Sequence, residues 1–241
     1  MSRSRPNVNT HPCQVWMEWN GETGVFSFWD KEKEERMIVG NKFAFAVLDR
    51  TATITGWDDK SESRFYSNEI RSTKDSELHV KSFKGGDIVS GFYANIRESL
   101  LARGAAFTMN LYVAASKESG GHTLMCIQMK GAALAAWMDF ENKNRKAIYE
   151  KGVRVNGSDA AVHGRIEYHF PLFEVAEISP ETNAAAVKMD EDLQVFLDAK
   201  TKSVKQKEQH GYSQDVAPQE AEPHSDASAV DSDSDIDDLP F

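Results

Sequence analysis

The chain has 241 residues, 40% of them hydrophobic, and a formal net charge of -10. That suffices for one sizeable domain with a real core, and no apolar run approaches the ~18 residues of a membrane span. Residues 206–241 hold ten acidic residues against Lys207 alone, so the rest of the chain is close to neutral and a nucleic-acid surface on it is not excluded. Cys13 and Cys126 show no metal or disulfide spacing and read as reduced thiols. The basic start, Met1 to Arg5, is not followed by the apolar stretch of a signal peptide. A soluble, cytoplasmic protein is expected.

In chain order, residues 1–13 are polar, contain Pro6 and Pro12, and are expected to stay disordered. Val15, Met17 and Trp19, then Asn20–Gly24, then Val25–Trp29 predict a hairpin, with Asp30–Arg36 as a charged connection. Phe43–Leu48, Thr51–Thr55, Ser63–Ile70 and Leu78–Phe83 predict four strands. Lys84-Gly85-Gly86-Asp87 breaks the pattern, and Asp87 is placed to cap a helix carrying Ile88, Val89, Phe92, Ile96 and Leu100, stopped by Gly104. A second hairpin follows, Phe107–Ala115 with His122–Lys130. Ala132–Met138 predicts a short helix, Asn142–Gly157 a long basic loop, and Arg165–Ile178 a strand bent at Pro171 near a sheet edge. Glu191–Lys205 has the spacing of an amphipathic helix. Beyond residue 205 the periodicity stops, and so polar a segment buries too little to offset the ~1–2 kcal/mol per residue cost of ordering.

The expected architecture is mainly β. It is an OB-fold-like antiparallel barrel over residues 14–180, with an added N-terminal hairpin and one main internal helix. A linker and helix occupy residues 181–205, and a disordered acidic tail residues 206–241. A β-sandwich is the alternative.

Little points to catalysis. No histidine pair has helical metal spacing. His163 and His169 sit six apart in one expected strand, where ordinary strand histidines are the simpler reading. Gly85-Gly86 lacks the Lys-Ser/Thr of a nucleotide loop. Asp58, Asp59 and Glu62 beside Trp57 are the sole hint of a nuclease metal site, and a solvated turn explains them as well. No cofactor or metal is expected.

Binding chemistry is better represented. Between Lys42 and Lys84 aromatic and basic residues interleave. Trp57, Phe65, Tyr66 and Phe83 are candidates for stacking on bases, and Arg64, Arg71, Lys74, Lys81 and Lys84 for phosphate contacts. Neighbours in a strand point to opposite faces, so Phe65 and Tyr66 cannot both face one core. Seven acidic residues share the window with eight basic ones, so any cationic groove must be assembled in space. The stretch from Lys143 to Arg154 is a second candidate: Lys143, Arg145, Lys146, Lys151 and Arg154 for phosphate, Tyr149 for stacking.

The tail ends Asp235-Ile236-Asp237-Asp238-Leu239-Pro240-Phe241, a carboxylate run before an apolar end. It suits a partner with an apolar pocket rimmed by Lys and Arg. Asp237-Asp238-Leu239-Pro240-Phe241 resembles the Asp-Asp-Ile-Pro-Phe tip of bacterial single-stranded DNA-binding proteins, with Leu239 in place of Ile. The body resembles divergent single-stranded DNA-binding proteins of phages and mobile elements through Tyr66-Ser67-Asn68-Glu69 and Leu78–Gly86. The resemblance implies an OB domain that coats single-stranded DNA in a bacterial or phage-infected cytoplasm, and a tip that recruits replication, recombination or repair enzymes. The alternative is a non-enzymatic adaptor whose β-domain binds protein or RNA.

Overall fold

The computed structural model describes residues 11–117 and 120–209, with side chains through Thr201. The chain is mainly β, with eleven strands and four helices among the described residues. Three strands open it: β1 (Val15–Asn20), β2 (Val25–Asp30) and β3 (Glu35–Gly40). They form a meander, not the expected hairpin alone, because Glu34 takes a positive φ of 54° and turns the charged connection back into a third strand.

The next strand organises the molecule. β4 runs unbroken from Lys42 to Asp58, where two strands were expected. A bulge between Val47 and Asp49 absorbs the change of pattern. Before it Phe43, Phe45 and Val47 face the core; after it Ala52 and Ile54 do. β5 (Ser63–Ser67), β6 (Leu78–Ser82) and β7 (Gly86–Gly91) form a small meander on the far end of β4. Ile88 and Val89 therefore belong to a strand and not to the expected helix. Val89 pairs with Val80, and Gly91 at φ 151° re-aims the chain before α1 (Tyr93–Leu101). Asp87 caps nothing, and Gly85-Gly86 is the β6–β7 turn.

β8 (Ala105–Ser116) and β9 (His122–Met129) form the expected second hairpin, and β8 lies along most of β4. α2 (Gly131–Asn144) is twice the predicted length. The predicted basic loop does not exist. Its residues end α2, form the single turn α3 (Ala147–Glu150) and begin β10 (Gly152–His163). β11 (Ile166–Ala176) pairs with β10 alone, so Pro171 does sit on an edge strand, opposite Ser158 at a bulge. His163 and His169 lie on the two strands of this hairpin rather than on one.

The hydrogen-bonded path is β3-β2-β1-β9-β8-β4-β5-β6-β7, with β10 added beside the start of β4 and β11 beyond it. The sheet is mixed, since β1 pairs parallel to β9. The main core lies on one side: Met17, Phe26, Phe45, Ile54, Leu111, Ile127 and Trp137 are all essentially unexposed. On the other side α4 (Pro180–Gln209) covers β4, β8 and β9. Leu193 and Leu197 pack there on Tyr112, Leu124, Cys126 and Cys13. Each buried leucine contributes about 1.5–3 kcal/mol. α4 begins eleven residues before the predicted helix, where Ser179 Oγ accepts the Thr182 N–H. Cover on both faces explains why β8 is buried from Ala105 to Ala115, bar Ala106. His11 and Cys13 belong to this layer, so the expected disordered start does not include them. His11 packs on Trp16, Tyr112 and Phe196. No described helix is long and apolar enough to cross a membrane.

Candidate nucleic-acid interface

The register of the small meander brings scattered residues together. Trp57 on β4 is the partner of Arg64 on β5, and Tyr66 on β5 is the partner of Lys81 on β6. Directly opposed residues of an antiparallel pair point to the same side. The Phe83 N–H continues the ladder by donating to the Arg64 carbonyl at 3.1 Å. Trp57, Arg64 and Phe83 thus form one row, with Tyr66 and Lys81 in the next. Trp57 is 45% exposed and Phe83 40%, and Arg64 and Lys84 are exposed too. Among the described residues no carboxylate lies within ion-pair distance of Arg64, Lys60 or Lys84. Lys81 pairs with Asp87 at 2.7 Å, on a partner that is itself largely solvated. Beside the row lies an open cleft of about 450 Å³ lined by Asp58, Asp59, Lys60, Ala102, Arg103 and Gly104.

The opposite side of the meander is apolar and closed. Phe65, Leu78 and Val80 are buried in the core. Phe65 is therefore no stacking residue: it alternates inward while Arg64 and Tyr66 alternate outward, and the Arg103 guanidinium sits 5.9 Å from its ring centroid. Asp58 is also inside. Its carboxylate accepts two contacts from Arg103 Nη2, at 2.9 and 3.1 Å, and the Ser61 hydroxyl at 2.7 Å. Burial works against its charge, but Ser61 and Arg103 outweigh it and hold the carboxyl below its ordinary range. Among the described residues no group of three His, Cys, Asp or Glu side chains could hold a metal.

Other predicted contacts are drawn elsewhere. Arg71 donates to Asp49 at 2.9 Å, contacts Gln194 and pairs with Asp198 on α4. It is an anchor of that helix. Lys74 is exposed in the β5–β6 connection. The second basic candidate sits at the other end of β4, where Arg154 is the partner of Ala44. Twelve residues of strand lie between Ala44 and Trp57, and the two sets are not brought together. Lys146 pairs with Glu150, Lys151 with Glu177 and Arg154 with Glu174. Lys143 and Arg145 are exposed at the end of α2. Tyr149 is half exposed, and its hydroxyl is pushed up by burial and by neighbouring Glu141. Glu141 is itself buried and bonded to Arg50 at 2.8 Å, with burial raising its carboxyl.

Sequence reasoning did not find the polar cluster beneath α4. Glu69 is bonded to Lys200 at 2.8 Å and accepts the Thr51 and Tyr112 hydroxyls at 2.6 Å each. Burial opposes its charge, yet Lys200 and the two hydroxyls bring its carboxyl down to about 2. Burial lowers His11 to about 4 and pushes the Cys13 thiol up to about 12. The tip residues Asp235, Ile236, Asp237, Asp238, Leu239, Pro240 and Phe241 lie outside the described residues. Comparison with protein-family models, with curated proteins and with solved structures finds no match for this chain.

Proposed function

We propose that the chain is a non-enzymatic single-stranded DNA-binding protein that uses the outward face of the β4 end, β5 and β6. The observation that carries this reading is the row of Trp57, Arg64 and Phe83 beside Tyr66 and Lys81, solvent-facing aromatics alternating with cations. Every base offers a π-face, so such a row binds without sequence preference. Stacking on an aromatic contributes roughly 1–3 kcal/mol per base, while Arg64, Lys81 and Lys84 meet phosphates. In this reading the mixed sheet is an elaborated OB-like barrel, β1–β3 being the addition. The acidic tip recruits DNA-maintenance enzymes in a bacterial or phage-infected cytoplasm; the likeness of Asp237–Phe241 to bacterial tips supports that part.

The test is a titration of the full chain with oligo(dT), followed by tryptophan fluorescence. Quenching is expected, and raising salt reverses it. Three phosphate contacts give a slope of log K against log salt near about -2 on a single strand. No quenching at low salt rejects this face. Equal binding of oligo(rU) reassigns the ligand to single-stranded nucleic acid in general.

A further inference from the structure

We infer that the buried Asp58 carboxylate, paired with Arg103, is the positioning device of this face, holding through Ser61 the β4–β5 and β6–β7 turns beside Trp57 and Phe83. The inference rests on the single-stranded DNA reading given above.

The geometry converges on one hydroxyl. Ser61 Oγ lies 2.7 Å from Asp58 Oδ2, 2.9 Å from Ser63 Oγ and 3.0 Å from Ser82 Oγ. A hydroxyl has one proton and two lone pairs. The Ser61 hydroxyl is aimed at Asp58 Oδ2 and at Ser82 Oγ, and the carboxylate, which can only accept, is the nearer of the two acceptors; the Ser63 hydroxyl is placed to donate to Ser61. Ser63 and Ser82 in turn accept backbone donors from the β6–β7 turn. The Lys84 N–H donates to Ser63 Oγ at 3.0 Å and the Gly85 N–H to Ser82 Oγ at 2.9 Å. Asp58, Ser63 and Ser82 are all buried. A Cβ at Gly85 would collide with Ser82 Oγ and come within 3.0 Å of Ser61 Cβ, so the turn seats directly on this network.

The consequence is pre-organisation. Trp57 immediately precedes Asp58, and Phe83 and Lys84 follow Ser82. One carboxylate thus fixes the spacing of the two aromatics before any ligand arrives. Binding then pays less ordering entropy than two independent loops would. Arg103 ties the arrangement to the end of α1 and, over Phe65, to the core.

A double-mutant cycle in the full chain tests this, with amide exchange of the free protein as a second readout. Asp58→Asn is expected to weaken oligo(dT) binding about fivefold to tenfold and to speed exchange at Lys84 and Gly85. In that background Trp57→Ala should cost less than about threefold further, because residues acting as one unit are non-additive. A general loss of stability would leave the Trp57→Ala cost unchanged. Ser61→Ala is the milder variant that keeps the Arg103 pair and should show the same coupling. Unchanged exchange at both turn amides, or additive costs in the cycle, overturns the inference. Faster exchange together with a Trp57→Ala variant that binds normally in the native background sinks the DNA reading of the face and leaves the network standing as a brace for the turns.

Discussion

The two ends of β4 carry the same kinds of residue and use them in opposite ways. From Phe43 to Thr51 the strand is flanked by β10, α3 and α4. There the charges are matched against one another: Arg50 with Glu141, Arg71 with Asp49 and Asp198, and Lys200 with Glu69. At the Trp57 end no helix among the described residues covers the outward face, and aromatic and cationic side chains reach solvent. The lesson is that an interface is defined less by how many cations a segment holds than by which of them the fold leaves without a carboxylate.

The largest effect is expected at the covered end. Lys200→Met leaves the Glu69 carboxylate buried with only hydroxyl partners. Breaking one side of a fully buried pair costs about 3–5 kcal/mol; Lys200 is 39% exposed, so the cost is discounted to about 2–4 kcal/mol and the urea midpoint should still fall. Affinity for oligo(dT), measured where the variant is folded, should not change. A loss of DNA binding in the folded variant would break the division between the two ends.

The opposite split is expected at the exposed end. Trp57→Ala and Phe83→Ala should each weaken binding by roughly 1–3 kcal/mol, about fivefold to 150-fold. Neither removes core contacts, so thermal unfolding should hardly move. Tyr149→Ala, at the other end of the strand, should leave affinity as it was. Side-by-side titrations of the three variants give the check.

Acid should act on the covered end through His11 and Glu69. Burial lowers His11 from 6.5 to about 4. Between those values the unfolded chain holds a proton that the folded chain refuses, so stability falls as pH drops through this window. The ring is partly solvated, so the loss is discounted to about 1–2 kcal/mol. Glu69 acts lower: its carboxyl is depressed to about 2, and its contribution disappears as pH falls from 4.5 towards 2. His11→Gln should flatten the upper window and leave the lower one. Chemical unfolding at pH 7, 5 and 3 separates the two groups.

How much of this was legible follows from where the information lies. Strand alternation was enough to say that Phe65 and Tyr66 could not share a face, and the structure puts Phe65 inside. Pro171 was enough to mark an edge strand. The strands and hairpins of the middle were visible in β-branched and aromatic runs. Ile88 and Val89 were misread because they fit helical spacing as well as a short strand; the pairing of Val89 with Val80, nine residues back, decides the matter. The charged run before Met37 hid β3, which gains its place only by pairing with β2. Least legible were the ion pairs. Arg71 reads as a free cation until α4 brings Gln194 and Asp198 to it, and Lys151 until β11 brings Glu177.

The smallest prediction is also the sharpest for the comparison. Arg64, Lys151 and Arg154 are all exposed cations on strands or at their edges. Of the three, Arg64 alone stands in the aromatic row, with no carboxylate among the described residues within ion-pair distance. Arg64→Ala should reduce the salt slope of oligo(dT) binding by about 0.7, the share of one phosphate on a single strand. Arg154→Ala removes a solvated pair with Glu174 and should cost at most about 1 kcal/mol of stability. Its salt slope should match the native chain. Equal slopes for the two variants would mean that the strand of DNA reaches both ends of β4, and that the pairs at the covered end open to receive it.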